Sequence, residues 1–267
     1  MSKQLPRSAR KRFGQNFLID GRVVDAILAS ITASASDTIV EIGPGHGAIT
    51  KGLYASQCDL ILIELDRDLV PGLLASFVSQ SPERCRLLNE DVLKVDFTRL
   101  GSALRIVGNL PYNISTPLLF KLLERGEQIK DIHVMLQKEV VNRIAAAPGE
   151  SAYGRLGVMI QATAHVESLI DVPPECFAPP PKVNSGVIRI IPDANKRALI
   201  ESMDTLALLV RQAFSQRRKT LKNNLKNSLD LEDFETLGIN PTDRPERLSV
   251  GTYVELANYL GRRQGKG

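Results

Sequence analysis

The apolar positions of this chain fall into short runs separated by polar turns, with helical spacing in between. Between residues 38 and 136 the runs are Thr38–Ile42, Leu60–Ile63, Arg86–Leu88, Arg105–Val107 and Ile132–Leu136. Each has strand length. Three are rich in Val, Ile and Leu, as parallel strands covered on both faces are. Upstream, Val24, Ile27, Leu28 and Ile31 recur at helical spacing behind Asp20, a residue suited to cap a helix. Thr116 and Pro117 read as an N-cap and first helical residue, opening a helix through Leu123. Strand and helix signals in alternation predict an α/β fold built on a doubly wound, mostly parallel sheet.

From residue 165 the texture changes. His165–Val172 and Val187–Ile191 read as strands with no helix between them, bracketing the proline-rich VPPECFAPPPKVNSG. Such a segment is stiff and suits an ordered loop across a sheet edge. The expectation is an antiparallel hairpin closing the sheet, with a domain over residues 1–192 that includes a basic arm, 1–20. Pro192-Asp193-Ala194-Asn195 reads as the boundary. A small all-helical domain, 196–267, follows, with Leu206, Leu209, Val210, Ala213, Phe214, Leu221 and Leu225 at helical spacing. On one uninterrupted helix Arg211, Arg218, Lys222 and Lys226 would share a face. Arg217 would then fall on the apolar side, so a break near Gln216 is expected.

Composition narrows the function classes. With 43% hydrophobic and 24% charged residues, the 267-residue chain can bury a full core. Three cysteines and three histidines, none clustered, argue against a zinc site or a disulfide scaffold and for a cytoplasmic protein without metal. No apolar run is long enough to cross a membrane, and the basic N-terminus lacks the core of a secretory signal. The net charge of +4 is unevenly spread. Lys3, Arg7, Arg10, Lys11 and Arg12 form one acid-free cluster; Arg211, Arg217, Arg218, Lys219, Lys222 and Lys226 form another. Two basic patches at opposite ends of the chain point to a polyanionic partner.

The sharpest local signal is Val40-Glu41-Ile42-Gly43-Pro44-Gly45-His46-Gly47. An apolar strand running into Gly43, Gly45 and Gly47 lets the backbone turn tightly and approach a ligand. The third glycine comes one residue too early for a dinucleotide fingerprint, and no Lys-Ser/Thr pair follows to make a phosphate loop. The next strand ends in Glu64, where α/β nucleotide folds bind a ribose diol. The one after leads into Asp91, placed to accept from an adenine amino group. Glycines, acid and acid at three successive strand ends predict an adenosine-type cofactor.

After the strand at 105–107 comes Asn109-Leu110-Pro111-Tyr112. An adenine amino nitrogen is a poor nucleophile because its lone pair is delocalised into the ring. The Asn109 side-chain oxygen and the Leu110 carbonyl could each accept one amino hydrogen, Pro111 would stiffen the loop, and Tyr112 would offer a stacking face. Phe177, held among prolines, could form a second wall. Cytosine C5 chemistry needs a cysteine nucleophile, and no cysteine follows a proline here. A target base must be unpaired or flipped, so a loop or single strand is expected.

The chain resembles the bacterial small-subunit rRNA adenine dimethyltransferases, the KsgA family. The matching segments are KRFGQNFL, VEIGPGHGAIT, IELDRDL, GNLPYNISTPL, LQKEVVNR, YGRLGVM, PPPKVNSGVIR and FSQRRKTLKNNL, in order, with ERLSVGTYVELANYL extending the match nearly to the end. The resemblance implies a Rossmann-like class I methyltransferase fold with a seven-stranded sheet. It implies S-adenosyl-L-methionine as donor, S-adenosyl-L-homocysteine as product, and a monomeric enzyme. Its substrate would be two adjacent adenosines of a hairpin loop near the 3′ end of 16S rRNA, in the immature small subunit. It carries cofactor contacts to Asn16, Leu18, Gly43, Glu64, Asp91 and Asn109, and makes Gln15-Asn16-Phe17 part of an arm over the cofactor. Related large-subunit rRNA dimethyltransferases and an assembly factor without turnover are the alternatives.

Overall fold

The computed structural model describes residues 15–264, so Arg10, Lys11 and Arg12 lie outside the described residues. The described chain opens with a two-residue strand, β1 (Phe17–Leu18), and helix α1 (Gly21–Ile31). Asp20 caps α1 by accepting from the Arg22 N–H, as its sequence position predicts, and α1 buries Ile27 and Ile31. Strand β2 (Thr38–Ile42), α2 (Thr50–Ala55), β3 (Asp59–Ile63), α3 (Val70–Ser76), β4 (Cys85–Leu88), β5 (Leu104–Asn109), α4 (Ser115–Leu123) and β6 (Ile129–Gln137) follow. The five strands pair in parallel, in the order β4-β3-β2-β5-β6. The order reverses between β2 and β5, which opens a crevice beyond their carboxyl ends.

Helices α5 (Lys138–Ala145) and α6 (Arg155–Gln161) lead to β7 (Ala164–Val172), β8 (Phe177–Ala178) and β9 (Ser185–Pro192). Strand β9 pairs antiparallel with β6 and lies between β6 and β7 in the seven-stranded sheet. The proline-rich segment is ordered. It holds β8, whose Phe177 and Ala178 pair antiparallel with Leu18 and Phe17 of β1 in a second small sheet.

Two local expectations need correction. Helix α4 begins at Ser115 behind Ile114, so Thr116 is no cap and Pro117 is the third helical residue. Proline is harmless there because the first turn's N–H groups have no helical acceptor anyway. The basic helix is not continuous: α8 ends at Ala213 and α9 starts at Leu221. Arg211 therefore shares no helix face with Lys222, and the expected break extends over 214–220.

Among the described residues two compact units emerge from the contacts: those up to 141 with 167–191, and 142–166 with those from 192 onward. The second contains α6, α7 (Ala194–Ala198), α8 (Met203–Ala213), α9 (Leu221–Leu225), α10 (Leu231–Thr236) and α11 (Val250–Gln264). Helix α8 packs on α6, α9 and α11, burying Leu206, Leu209, Val210, Leu221 and Leu225. Residues 142–166, read from the sequence as part of the first domain, belong by contact to this helical unit.

At the amino ends of β2, β5 and β6 a buried ion network fixes the sheet. Arg105 pairs with Asp131 at 2.8 Å and Asp37 at 3.0 Å, and donates to the Ile31 carbonyl at 2.6 Å. Its guanidinium thus ties the last turn of α1 to the strand whose other end is Asn109. No helix among the described residues is long and apolar enough to cross a membrane.

Candidate active site

Backbone conformation comes first. Gly43 and Gly45 leave β2 with φ of +67° and +61°, a left-handed region that side chains resist. A Cβ on Gly45 would meet the Phe17 ring at 3.1 Å, so the loop and the arm approach closely. Gly47 also has positive φ, +81°, but its open side faces the Phe77 ring at 2.9 Å from a would-be Cβ. Its work is packing, and it does not line the cavity.

Above β2, β3 and β5 lies a cavity of about 410 Å³. Asn16, Gly43, Gly45, Glu64, Asp91, Asn109, Leu110, Pro111 and Tyr112 all line it, so the glycine loop and the Asn109–Tyr112 loop share one chamber. Glu64, Asp66, Glu90 and Asp91 are its acids, and among the described residues no Lys, Arg or His lines it. A site so charged favours a cationic ligand and repels phosphate.

Glu64 is 5% exposed. Its two oxygens accept from the N–H of Gly45 at 3.2 Å and of Asp66 at 2.8 Å. Each keeps a further lone pair, which a vicinal diol can use. Burial pushes its carboxyl above the ordinary range, while those N–H groups pull the other way. Asn89 donates to the Glu64 carbonyl at 2.7 Å, locking the β3 and β4 ends together. Asp91 accepts from Leu93 N at 3.0 Å, the local turn that presents its carboxylate. Beneath the glycine loop Glu41 is buried, and desolvation, reinforced by the Glu64 charge, pushes it up to about 7.

Asn109 ends β5 and donates through Nδ2 to the Asn16 carbonyl at 3.0 Å. Only the amide nitrogen can face that acceptor, so its orientation is fixed and Oδ1 remains as an acceptor. Leu110 is buried, and its N–H reaches the Met135 carbonyl at 3.2 Å. The Tyr112 hydroxyl meets Ser185 Oγ at 2.9 Å.

Several expected residues lie elsewhere. Phe177 is 3% exposed and belongs to the hydrophobic core with Leu18; neither lines the cavity. Cross-strand pairing of β1 with β8 draws both inward. The arm ring that does line the cavity is Phe17, against which His46 packs at 4.3 Å between centroids. In the helical unit Arg211, Arg218, Lys219 and Lys222 are exposed. Arg217 is exposed as well, but its guanidinium donates to the carbonyls of Ser151 and Tyr153 at 2.8 and 2.9 Å. Sequence reasoning missed Asp66, which accepts from Gln15 at 2.9 Å, and Ser185. The Glu64-Leu65-Asp66 spacing could have flagged the first; nothing local flags the second. Among the described residues no group of three or more His, Cys, Asp or Glu could hold a metal ion.

Residues 7–262 match the family described as ribosomal RNA adenine dimethylase. A protein of Saccharophagus degradans named ribosomal RNA small subunit methyltransferase A is 54% identical over 255 residues, 94% of each chain. One of the same name from Dechloromonas aromatica is 50% identical over 252 residues, 94% of this chain and 98% of its own. The crystal structure of a dimethyladenosine transferase from Plasmodium falciparum superposes with a TM-score of 0.83 at 25% identity, covering 93% of this chain and 98% of that one. The 23S rRNA methyltransferase ErmE shares the fold, with a TM-score of 0.74 at 21% identity over 92% of this chain and all of its own.

Proposed function

Because the chain belongs to the ribosomal RNA adenine dimethylase family, we propose that it dimethylates N6 of two adjacent adenosines in the 3′-terminal hairpin loop of 16S rRNA. It would act as a cytoplasmic monomer on the immature small subunit. The observation that carries the reading is the composition of the cavity: four carboxylates and the Asn109–Tyr112 loop in one chamber, with no Lys, Arg or His among the described residues that line it.

S-adenosyl-L-methionine supplies an electrophilic methyl on a sulfonium cation. The chain's residues fit such a donor: the acids suit its positive charge, and 410 Å³ is within the range of small-molecule sites. Glu64 takes the ribose hydroxyls on its free lone pairs, Asp91 the adenine amino group, and Gly43 and Gly45 let the backbone close on the donor's tail. Asn109 Oδ1 and the Leu110 carbonyl hold the two hydrogens of the target amino group, and Tyr112 stacks on the base. This draws the nitrogen lone pair out of conjugation and aims it for in-line displacement, so catalysis is mostly positioning. The proton is lost readily once the nitrogen is methylated, and no strong base is needed. Exposed Arg218, Lys219 and Lys222, with Arg10, Lys11 and Arg12 of the arm, contact phosphates.

The small-subunit substrate is favoured over the large-subunit one by the relatives: those at 50–54% identity carry the small-subunit name, while ErmE shares the fold at 21%. Labelled methyl transfer to immature small subunits, followed by nucleoside analysis, tests the proposal. N6,N6-dimethyladenosine in 16S rRNA is the expected product. Label in 23S rRNA, or none with tight RNA binding, would replace it with the large-subunit or the assembly-factor reading.

A further inference from the structure

The proline-rich segment that the sequence singles out contains, near its end, Ser185, a residue to which the reaction as described gives no part. Ser185 opens β9, opposite Gln137 of β6 in the antiparallel ladder, and is 1% exposed. The residue before it, Asn184, accepts at its carbonyl from Lys138 N at 2.9 Å. Its successor, Gly186, is hemmed in: a Cβ there would lie 3.3–3.4 Å from Lys138, Ile170 and Val141. The backbone carrying the Ser185 hydroxyl is therefore fixed on the sheet. That hydroxyl lies 2.9 Å from the phenol oxygen of Tyr112, 73 residues earlier.

Tyr112 itself stands in a turn between β5 and α4, outside regular structure. A tyrosine ring anchored only at its Cα can swing about two side-chain torsions. One tied at its hydroxyl as well is held at both ends, and its plane is set by the sheet. We infer that Ser185 is a positioning residue: through the Tyr112 hydroxyl it fixes the plane on which the target base stacks. The inference rests on the methyl-transfer reading. If the ring sets the base, the Asn109–Leu110 acceptors and the amino nitrogen stay aligned only while the ring does. A displacement of about 1 Å at the reacting atoms is enough to slow such a reaction roughly a hundredfold.

The test is steady-state methyl transfer to immature small subunits by wild type, Ser185→Ala, Tyr112→Phe, the double variant and Ser185→Thr. Ser185→Ala and Tyr112→Phe are each expected to lower kcat about ten- to a hundredfold, with KM for RNA and donor within about twofold. The double variant should lose no more than the worse single, because both remove one hydrogen bond. Ser185→Thr, which keeps the hydroxyl, should run at about the wild-type rate. A Ser185→Ala enzyme within twofold of wild-type kcat overturns the inference. So do losses that multiply in the double variant, or a Ser185→Thr enzyme as slow as Ser185→Ala. If Ser185→Ala does not fold, Tyr112→Phe at wild-type kcat overturns it instead. No transfer by wild type overturns the functional reading and this inference with it; transfer by wild type that the variants match overturns this inference alone.

Discussion

Asn109 and Asn16, 93 residues apart, are joined by a 3.0 Å hydrogen bond from the Asn109 amide to the Asn16 backbone carbonyl. That bond fixes which end of the Asn109 amide is left to accept from a target amino group. Asn109→Ala removes both the anchor and the acceptor and should lower kcat by roughly a hundred- to a thousandfold, as loss of one preorganised polar group does elsewhere. Filter-binding affinity for RNA should stay near wild type; if it falls in parallel with kcat, the role is structural. Asn109→Asp should be as poor, since a carboxylate would face the Asn16 carbonyl without a proton to share.

Glu64→Ala should weaken donor binding by about 1.5–3 kcal/mol, roughly ten- to a hundredfold in Kd. Glu64→Gln should also weaken it, because an amide group would turn a donor toward the N–H of Gly45 or Asp66. Calorimetric titration with S-adenosyl-L-homocysteine measures this, and an unchanged Kd with an intact fold would refute the ribose assignment.

Glu41 ties stability to pH. Its carboxyl titrates at about 7 in the folded chain, against 4.5 in its absence of burial, so the folded state holds its proton more tightly than the unfolded state. The sign follows: between those values the folded state carries more bound protons, and this group's contribution to stability falls as pH rises. It is fully present below about pH 4.5 and lost through about pH 7, with an upper magnitude of about 3 kcal/mol. Glu41→Gln should therefore stabilise the protein at about pH 8 and change little at about pH 5. Urea unfolding at both values checks it; an equal effect at both would contradict the buried acid.

Removing Arg105 should be costly because its partners stay behind. Arg105→Met leaves Asp131 buried without its arginine and Asp37 with Lys130 alone, at 2.9 Å, and a loss of about 3 kcal/mol is expected. Changing all three to apolar residues of similar volume should recover much of that loss. Thermal unfolding of the single and triple variants separates a broken network from simple lost packing.

The basic residues of the helical unit divide into two kinds. All of Arg217, Arg218, Lys219 and Lys222 are exposed, and for the last three each alanine substitution should reduce the slope of log affinity against log salt by about one. Arg217→Ala should leave that slope nearly unchanged and lower the melting temperature, because its guanidinium holds the Ser151 and Tyr153 carbonyls.

What the sequence determined by itself is whatever depends on neighbouring residues. Apolar runs of strand length gave β2 at Thr38–Ile42 to the residue and the other core strands to within three residues, since a strand's burial pattern is written in consecutive positions. Gly43, Gly45, Glu64, Asp91 and Asn109 were legible because each stands at a strand end, where an α/β sheet binds its ligands. Only the tertiary structure decided which of these converge and what holds them. Pairing of β1 with β8 turned Phe177 and Leu18 into the core and left Phe17 at the cavity. Insertion of β9 between β6 and β7 brought the Ser185 hydroxyl to Tyr112, and the α8–α9 break gave Arg217 two carbonyl partners. Such outcomes depend on the pairing of strands and helices far apart in the chain, and no local pattern encodes which loops will meet.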